Sequence, residues 1–468
     1  MKNNVLDACF KIQMTRRECQ FMQDHLKKKY GLFTAICMVV GIVIGSGVFF
    51  KAEAVLKATG GNMPQAIIAW LVVGLVMIVC SYIFANLATK HEKVGGLLDY
   101  AEATVGKRYS YNIGWFMAAV YTPAITGVLA WVSARYVAVL LSWDITGNAC
   151  MILAASFLCF SYTLNALSPI LAGKFQVSTT IIKMIPLLSM GVIGIVLGLN
   201  NDQLIQNFTF VSTTDNGSLM AAIVAVAFAY EGWILATSIN LELRDSKKNL
   251  PKALVIGSFI VVATYVLYYI GLNGVVTTGE LMASGENAAK TAFQRMFGNV
   301  AGTGIFVLIV ISCLGTLNGL MLSCCRGFYA LSADGHGPNP KLFVQVDPVT
   351  NMPNNSAILG LALSSFWLLY FFGANLTAPW FGPYFSFDSS ELPIITLYGM
   401  YIPMFIQIMR KSTDLSSVKR YVMPSLGLCG CFLMIYAAFA AYHWKTVAYL
   451  LVYVVIMGIG NLFYRKEK

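Results

Sequence analysis

Charge is what this sequence has least of. Of its 468 residues 11% are Asp, Glu, Lys or Arg, against 57% that are hydrophobic, and the mean hydropathy is +0.69. A soluble domain carries about 25% charged residues. A deficit spread along the whole chain excludes one large soluble core and predicts a membrane protein. Histidine is scarce too. His25, His91, His336 and His443 are the only four, and all lie outside the apolar runs. With no nucleophile–base pair apparent, nothing here suggests a membrane enzyme. The eleven cysteines contain no CxxC, and most sit inside apolar runs, as Cys37, Cys80, Cys159, Cys313, Cys429 and Cys431 do. Zinc spacing and an extracellular disulfide framework are both missing, so they read as small apolar fillers. No metal and no cofactor is expected. Residues 1–30 are polar and basic, without the short apolar core and cleavage site of a secretory signal peptide.

What is present is a series of twelve apolar stretches. They are Leu32–Val55, Met63–Thr89, Tyr111–Trp143, Ala149–Ala166, Pro169–Leu199, Leu219–Leu241, Leu254–Val276, Ala301–Leu331, Ala357–Gly373, Leu392–Met409, Pro424–Ala441 and Thr446–Tyr464. About 20 apolar residues cross the hydrocarbon as a helix, so the prediction is an all-α integral membrane protein of twelve transmembrane helices. Both termini then lie on one side. Lys51, Lys57, Arg135, Lys290, Arg295 and Lys445 fall on the other side and Lys183 in mid-membrane, which leaves 25 of the 32 Lys and Arg beside the termini. The positive-inside rule places those termini in the cytoplasm of a plasma-membrane protein. The net charge of +11 is read the same way. Its clusters lack the aromatic interleaving of a nucleic-acid binder, so lipid is the partner expected and nucleic acid is not. Residues 1–30 read as a cytoplasmic segment, either a tail or the product of a misplaced start; a short surface helix is the alternative.

Two spans are interrupted near their middle. Gly41-Ile42-Val43-Ile44-Gly45-Ser46-Gly47-Val48-Phe49 puts three glycines within seven residues in the first. Each weakens a helix by about 1 kcal/mol relative to alanine and lets backbone approach a ligand closely. In the sixth, Phe228-Ala229-Tyr230-Glu231-Gly232-Trp233 sets a carboxylate and a glycine inside an apolar run. Gly45-Ser46-Gly47 alone fits tight helix packing equally well. The pairing favours a central site, because spans one and six are equivalent if one to five and six to ten are two repeats. An unwound helix offers N–H groups to an anion at the start of one half and carbonyls to a cation at the end of the other. Two such breaks suit a zwitterion.

Lys183 lies about 20 Å of helix from either end of its predicted span, beyond the reach of snorkelling. A charge at that depth is retained for a partner or a function. Glu231 has four readings: selecting a cationic group, accepting a proton, pairing with Lys183, or pointing into a solvated vestibule with no specific role. Phe228, Tyr230 and Trp233 could gate the site, although aromatics in membrane helices more often pack.

Taken together, these motifs resemble the amino acid–polyamine–organocation superfamily of permeases, and most closely its bacterial L-type amino acid transporter branch. The resemblance runs from about Tyr30 to the C-terminus. It rests on Gly45-Ser46-Gly47-Val48-Phe49, on Phe228 to Trp233 with Glu242 and Asn249-Leu250-Pro251-Lys252-Ala253, and on Leu314-Gly315-Thr316-Leu317-Asn318-Gly319 running into Arg326-Gly327-Phe328-Tyr329-Ala330-Leu331 and Asp334-Gly335. Asp245-Ser246 stands where the family usually has Asn-Pro, and Glu92 to Tyr100 lacks one proline and one tyrosine of a family motif. The resemblance implies a five-plus-five inverted repeat, with a core at 31–410 (repeats about 31–199 and 218–410) and two extra helices at 411–468. It implies that backbone at Gly45, Ser46 and Gly47 takes a substrate carboxylate, and carbonyls near Phe228 and Ala229 the amino group. Ile42, Val43 and Glu231 would face the side-chain pocket, with Lys183 standing in for a sodium ion.

The expected function is therefore sodium-independent secondary transport of amino acids, neutral ones first, by exchange or proton symport. A cationic amino acid or polyamine is the alternative, as is a nutrient receptor on the same fold. A channel would need a continuous polar pore, and the buried polar positions concentrate at two breaks. Oligomeric state is not legible.

Overall fold

The computed structural model describes residues 31–90, 96–168, 171, 175, 178–179, 181–210, 217–235, 237, 243–350, 352–376 and 379–465. The N-terminal segment 1–30 and the motif residues from Glu92 to Gly95 and at Glu242 lie outside them. Every described helix long enough to cross a membrane follows an apolar run, and the first-span break and the Gly298 kink fall at residues that helices tolerate poorly.

The first span is two helices, α1 (Leu32–Val43) and α2 (Gly47–Ala58), bent by 47°. Ile44 leaves the helix with an extended backbone, and Ser46 precedes the first residue of α2. Helix α3 (Met63–Lys90) and a short α4 (Leu97–Thr104) follow. Next is α5 (Lys107–Leu141), which carries a π-turn at Met117–Tyr121. Then come α6 (Asn148–Leu167), α7 (Met184–Asn200), α8 (Gln203–Thr209), bent 88° from α7, and α9 (Leu219–Ala229). The later helices are α10 (Ser246–Val275), α11 (Thr278–Ser284), α12 (Glu286–Ala333), kinked at Gly298, and α13 (Pro340–Phe343). They end with α14 (Asn354–Phe371), α15 (Gly382–Phe385), α16 (Leu392–Lys411), α17 (Val418–Tyr442, opening on a π-turn) and α18 (Trp444–Leu462).

Among the described residues nine helices are long and apolar enough to cross a membrane, or eleven if each bent pair is one span. The apolar segment Leu219–Leu235 is shorter. The breaks in the first and sixth spans lie where glycine and polar residues interrupt the apolar pattern. Helices α4, α8, α11, α13 and α15 were not expected, because each is a few turns at most with no membrane-length run to announce it.

Lys183 falls at a one-residue turn within its span: residues 181–182 before it are helical, its amide donates to the Thr179 carbonyl at 3.1 Å, and α7 starts at the next residue. Lys51 and Arg135, counted on the outer side, are held in ion pairs. Both lie within helices, Lys51 in α2 paired with Glu391, and Arg135 in α5 paired with Glu286 at 2.5 Å. Their apolar flanks are long enough to bury an ion pair, which a count of charges by side does not reveal.

Candidate functional site

The end of α1 exposes carbonyls that its own helix cannot satisfy. Three side chains from other elements meet them. The Lys183 ammonium donates to the carbonyls of Gly41 and Ile44. The Tyr265 hydroxyl in α10 donates to Val43 at 3.0 Å, and Ser312 in α12 to Gly45 at 3.5 Å. A cation here also faces the negative end of the helix dipole. Lys183 is fully buried, so these carbonyls replace its lost hydration. The further tie to α12 is steric: Thr179 stands where a Cβ on Gly315 would be, 2.2 Å away.

The start of α2 is the opposite case. Its first N–H groups have no acceptor within the helix. The Ser46 hydroxyl beside them is buried and has no hydrogen-bond partner among the described residues. This end of α2 presents a cluster of hydrogen-bond donors.

The second break lies against the first. Helix α9 stops at Ala229, and a turn over Tyr230, Glu231 and Gly232 follows, with Gly232 at φ +101°. A Cβ on Gly47 would stand 2.5 Å from the Cα of Ala229, and one on Gly232 would stand 3.5 Å from the carbonyl oxygen of Ile42. Thus the amide start of α2 and the carbonyl end of α9 adjoin. Gly45 is close as well, its absent Cβ falling 2.8 Å from the side-chain Cγ2 of Thr316.

Glu231 and Lys183 do not pair. The Tyr121 hydroxyl, at the end of the π-turn in α5, donates to one Glu231 oxygen. The second oxygen is buried with no hydrogen-bond partner among the described residues. Single π-turns inside helices recur at functional sites, and this one points a tyrosine of α5 at the break. Of the three aromatics expected near the site, Tyr230 packs on Trp70 and Tyr265 at 5.7 and 5.2 Å, and Trp233 packs on Phe84. Both are fully buried. Phe228 instead meets Phe50 edge-on at 5.9 Å, with the Lys51 ammonium 5.3 Å above its ring.

That ammonium belongs to a cluster the sequence did not announce. Lys51 pairs with Glu391 just before α16 and lies 3.4 Å from the Ser390 hydroxyl. The Tyr442 hydroxyl, at the end of α17, donates to the other Glu391 oxygen. Lys51 is one helical turn beyond Gly47, so the cluster covers the α2 side of the breaks. The sequence signal was faint: an acid at the mouth of the tenth run and a lysine inside the first.

The profile of the family described as amino acid permease matches residues 30–461. The serine/threonine exchanger SteT of Bacillus subtilis (strain 168) is 33% identical over 88% of this chain and 91% of its own length. The b(0,+)-type amino acid transporter 1 of Mus musculus is 30% identical over 70% of this chain and 67% of its own. In fold, the structure is similar to that of MhsT in complex with L-phenylalanine, with a TM-score of 0.56 at 14% identity, covering 92% of this chain and 99% of that one. A match over nearly the whole chain, together with these relatives, settles the family: the protein belongs to the amino acid permeases.

Proposed function

We propose that the protein is a sodium-independent exchanger of neutral amino acids working by alternating access, with proton symport as the other possible coupling. The observation that carries this reading is the contact of Gly47 with Ala229. It sets amide donors that have no acceptor within their own helix beside terminal carbonyls of another, the two poles an α-amino acid requires. In this reading Gly45, Ser46 and Gly47 hold the carboxylate, and Phe228 and Ala229 the amino group. Ile42, Val43 and Glu231 line the side-chain pocket, while Tyr230 and Trp233 brace the break from behind. Lys183 does the work of a cation between the spans, which supports independence from sodium. The exchange of serine and threonine named for the Bacillus relative supports the neutral class and the exchange mode.

The same reading takes the nine long helices, the two bent pairs and Leu219–Leu235 as twelve spans. Ten form an inverted repeat at 31–410 and two follow at 411–468, with both termini in the cytoplasm. The test is counterflow in proteoliposomes: labelled serine, threonine or leucine should accumulate only against unlabelled internal amino acid, equally in sodium and choline. No counterflow with any common amino acid would instead support a receptor.

One observation favours a second reading. The Glu231 oxygen that has no partner among the described residues would accept a hydrogen bond from a basic side chain, making the substrate cationic. Competition by lysine, arginine and putrescine distinguishes the two.

A further inference from the structure

Away from the breaks, helices α5, α16, α17 and α18 enclose a cavity of about 430 Å³. One wall is a single face of α18, formed by Thr446, Tyr449, Tyr453, Met457 and Asn461. Their spacing of three or four residues keeps them in one line, about 22 Å long at 1.5 Å per residue. Ile395, Gly399 and Met400 of α16 and Ile435 of α17 form the facing walls. Helix α18 has the smallest buried share of the nine long helices, 28% of its most apolar stretch. Its outward side is exposed, while Thr446 and Tyr449 on the groove face are buried.

The walls have largely satisfied their own polar groups. The Thr396 hydroxyl bonds to Tyr449 at 2.9 Å, and Tyr109 donates to the Met400 carbonyl at 2.6 Å. An apolar slot of this size gives a water molecule few partners, and left empty it forfeits dispersion contacts along its whole lining. Its length is about three quarters of a ~30 Å hydrocarbon core. The end at Asn461 is different. There the exposed Arg108 donates to Asn461 at 3.2 Å, and the buried Asn112 oxygen has no partner among the described residues. A long apolar slot that ends at a guanidinium matches a chain carrying an anionic head.

We propose that this groove binds one acyl chain of a membrane phospholipid, whose anionic head group is held by Arg108. The site is separate from the breaks, and the proposal does not depend on which amino acid is carried.

Gly399 gives a clean test. A Cβ there would meet only Ile435 Cδ1, at 3.7 Å, so a larger side chain would grow into the groove without striking backbone. Native mass spectrometry of the purified, detergent-solubilised protein should show one phosphatidylglycerol retained after other lipids are stripped. Retention should weaken in Gly399→Leu and vanish in Gly399→Phe. Arg108→Ala should keep an adduct but lose an about tenfold preference for phosphatidylglycerol over phosphatidylcholine, the loss expected of one charged hydrogen bond. If Gly399→Phe yields no protein, Ile435→Trp fills the slot from the opposite wall and should do the same. Equal retention by the unmodified and filled proteins would overturn the proposal. So would a sterol as the retained species, or a dimer abolished by Gly399→Phe, since each gives the groove another occupant.

Discussion

Gly47 and Ala229 touch backbone to backbone, with no room for even a methyl group between them. The two interrupted spans are held at this point, so the geometry of both half-helix ends depends on it. Gly47→Ala should reduce exchange at least tenfold, because overpacking a tight contact costs about 1–3 kcal/mol. Gly47→Leu should abolish it. Membrane insertion, read by immunoblot of membranes, should persist in both. Normal counterflow by Gly47→Leu would remove the site from this break.

Lys183 supplies a buried cation to the carbonyls of Gly41 and Ile44. In Lys183→Ala those carbonyls lose their donor, and an unsatisfied buried group costs about 1–3 kcal/mol. Exchange should fall tenfold or more, while substrate binding by scintillation proximity falls less, since the closing movement loses its tie. Flux by the unmodified protein should be the same in sodium and choline. Sodium-stimulated uptake, or full flux in Lys183→Ala, would contradict the role given to this lysine.

The buried pair of Lys51 and Glu391 joins α2 to α16 beside Phe228. Removing one partner strands a charge, at a cost of about 3–5 kcal/mol, whereas replacing both with apolar residues is often neutral. Lys51→Met and Glu391→Leu should each lower the thermal midpoint in detergent by several degrees. The double variant should recover most of that loss. If the pair also latches one side of the site, the double variant should release bound substrate faster despite its recovered stability. Unchanged release would limit the pair to a structural role.

Glu231→Gln keeps an oxygen that can accept from Tyr121 and removes the negative charge. Under the neutral reading, exchange of serine or leucine should change less than about threefold, the weight of a modest change in one hydrogen bond. Under the cationic reading, competition by lysine or arginine should fall more than tenfold. A competition series across both amino acid classes decides between them.

The sequence by itself determined the membrane class, nearly all the span positions and the location of both breaks. Hydropathy runs and misplaced glycines are local signals, legible in one dimension. Gly45 to Gly47 and Phe228 to Trp233 stood out because a helix interior tolerates such residues only for a reason. Lys183 stood out likewise, a charge inside an apolar run.

Partners were another matter. The sequence left Glu231 free to pair with Lys183, and only the tertiary structure gave Glu231 to Tyr121 and Lys183 to the end of α1. Tyr265 gave no signal at all, because a hydroxyl in an apolar run looks the same whether it caps a carbonyl or merely packs. Lys51 and Glu391 are 340 residues apart; in the sequence Lys51 was only one of the charges on the outer side, and Glu391 did not stand out. A buried ion pair forms only where two helices bring its halves together while excluding water, and that depends on how the bundle closes rather than on either stretch of chain.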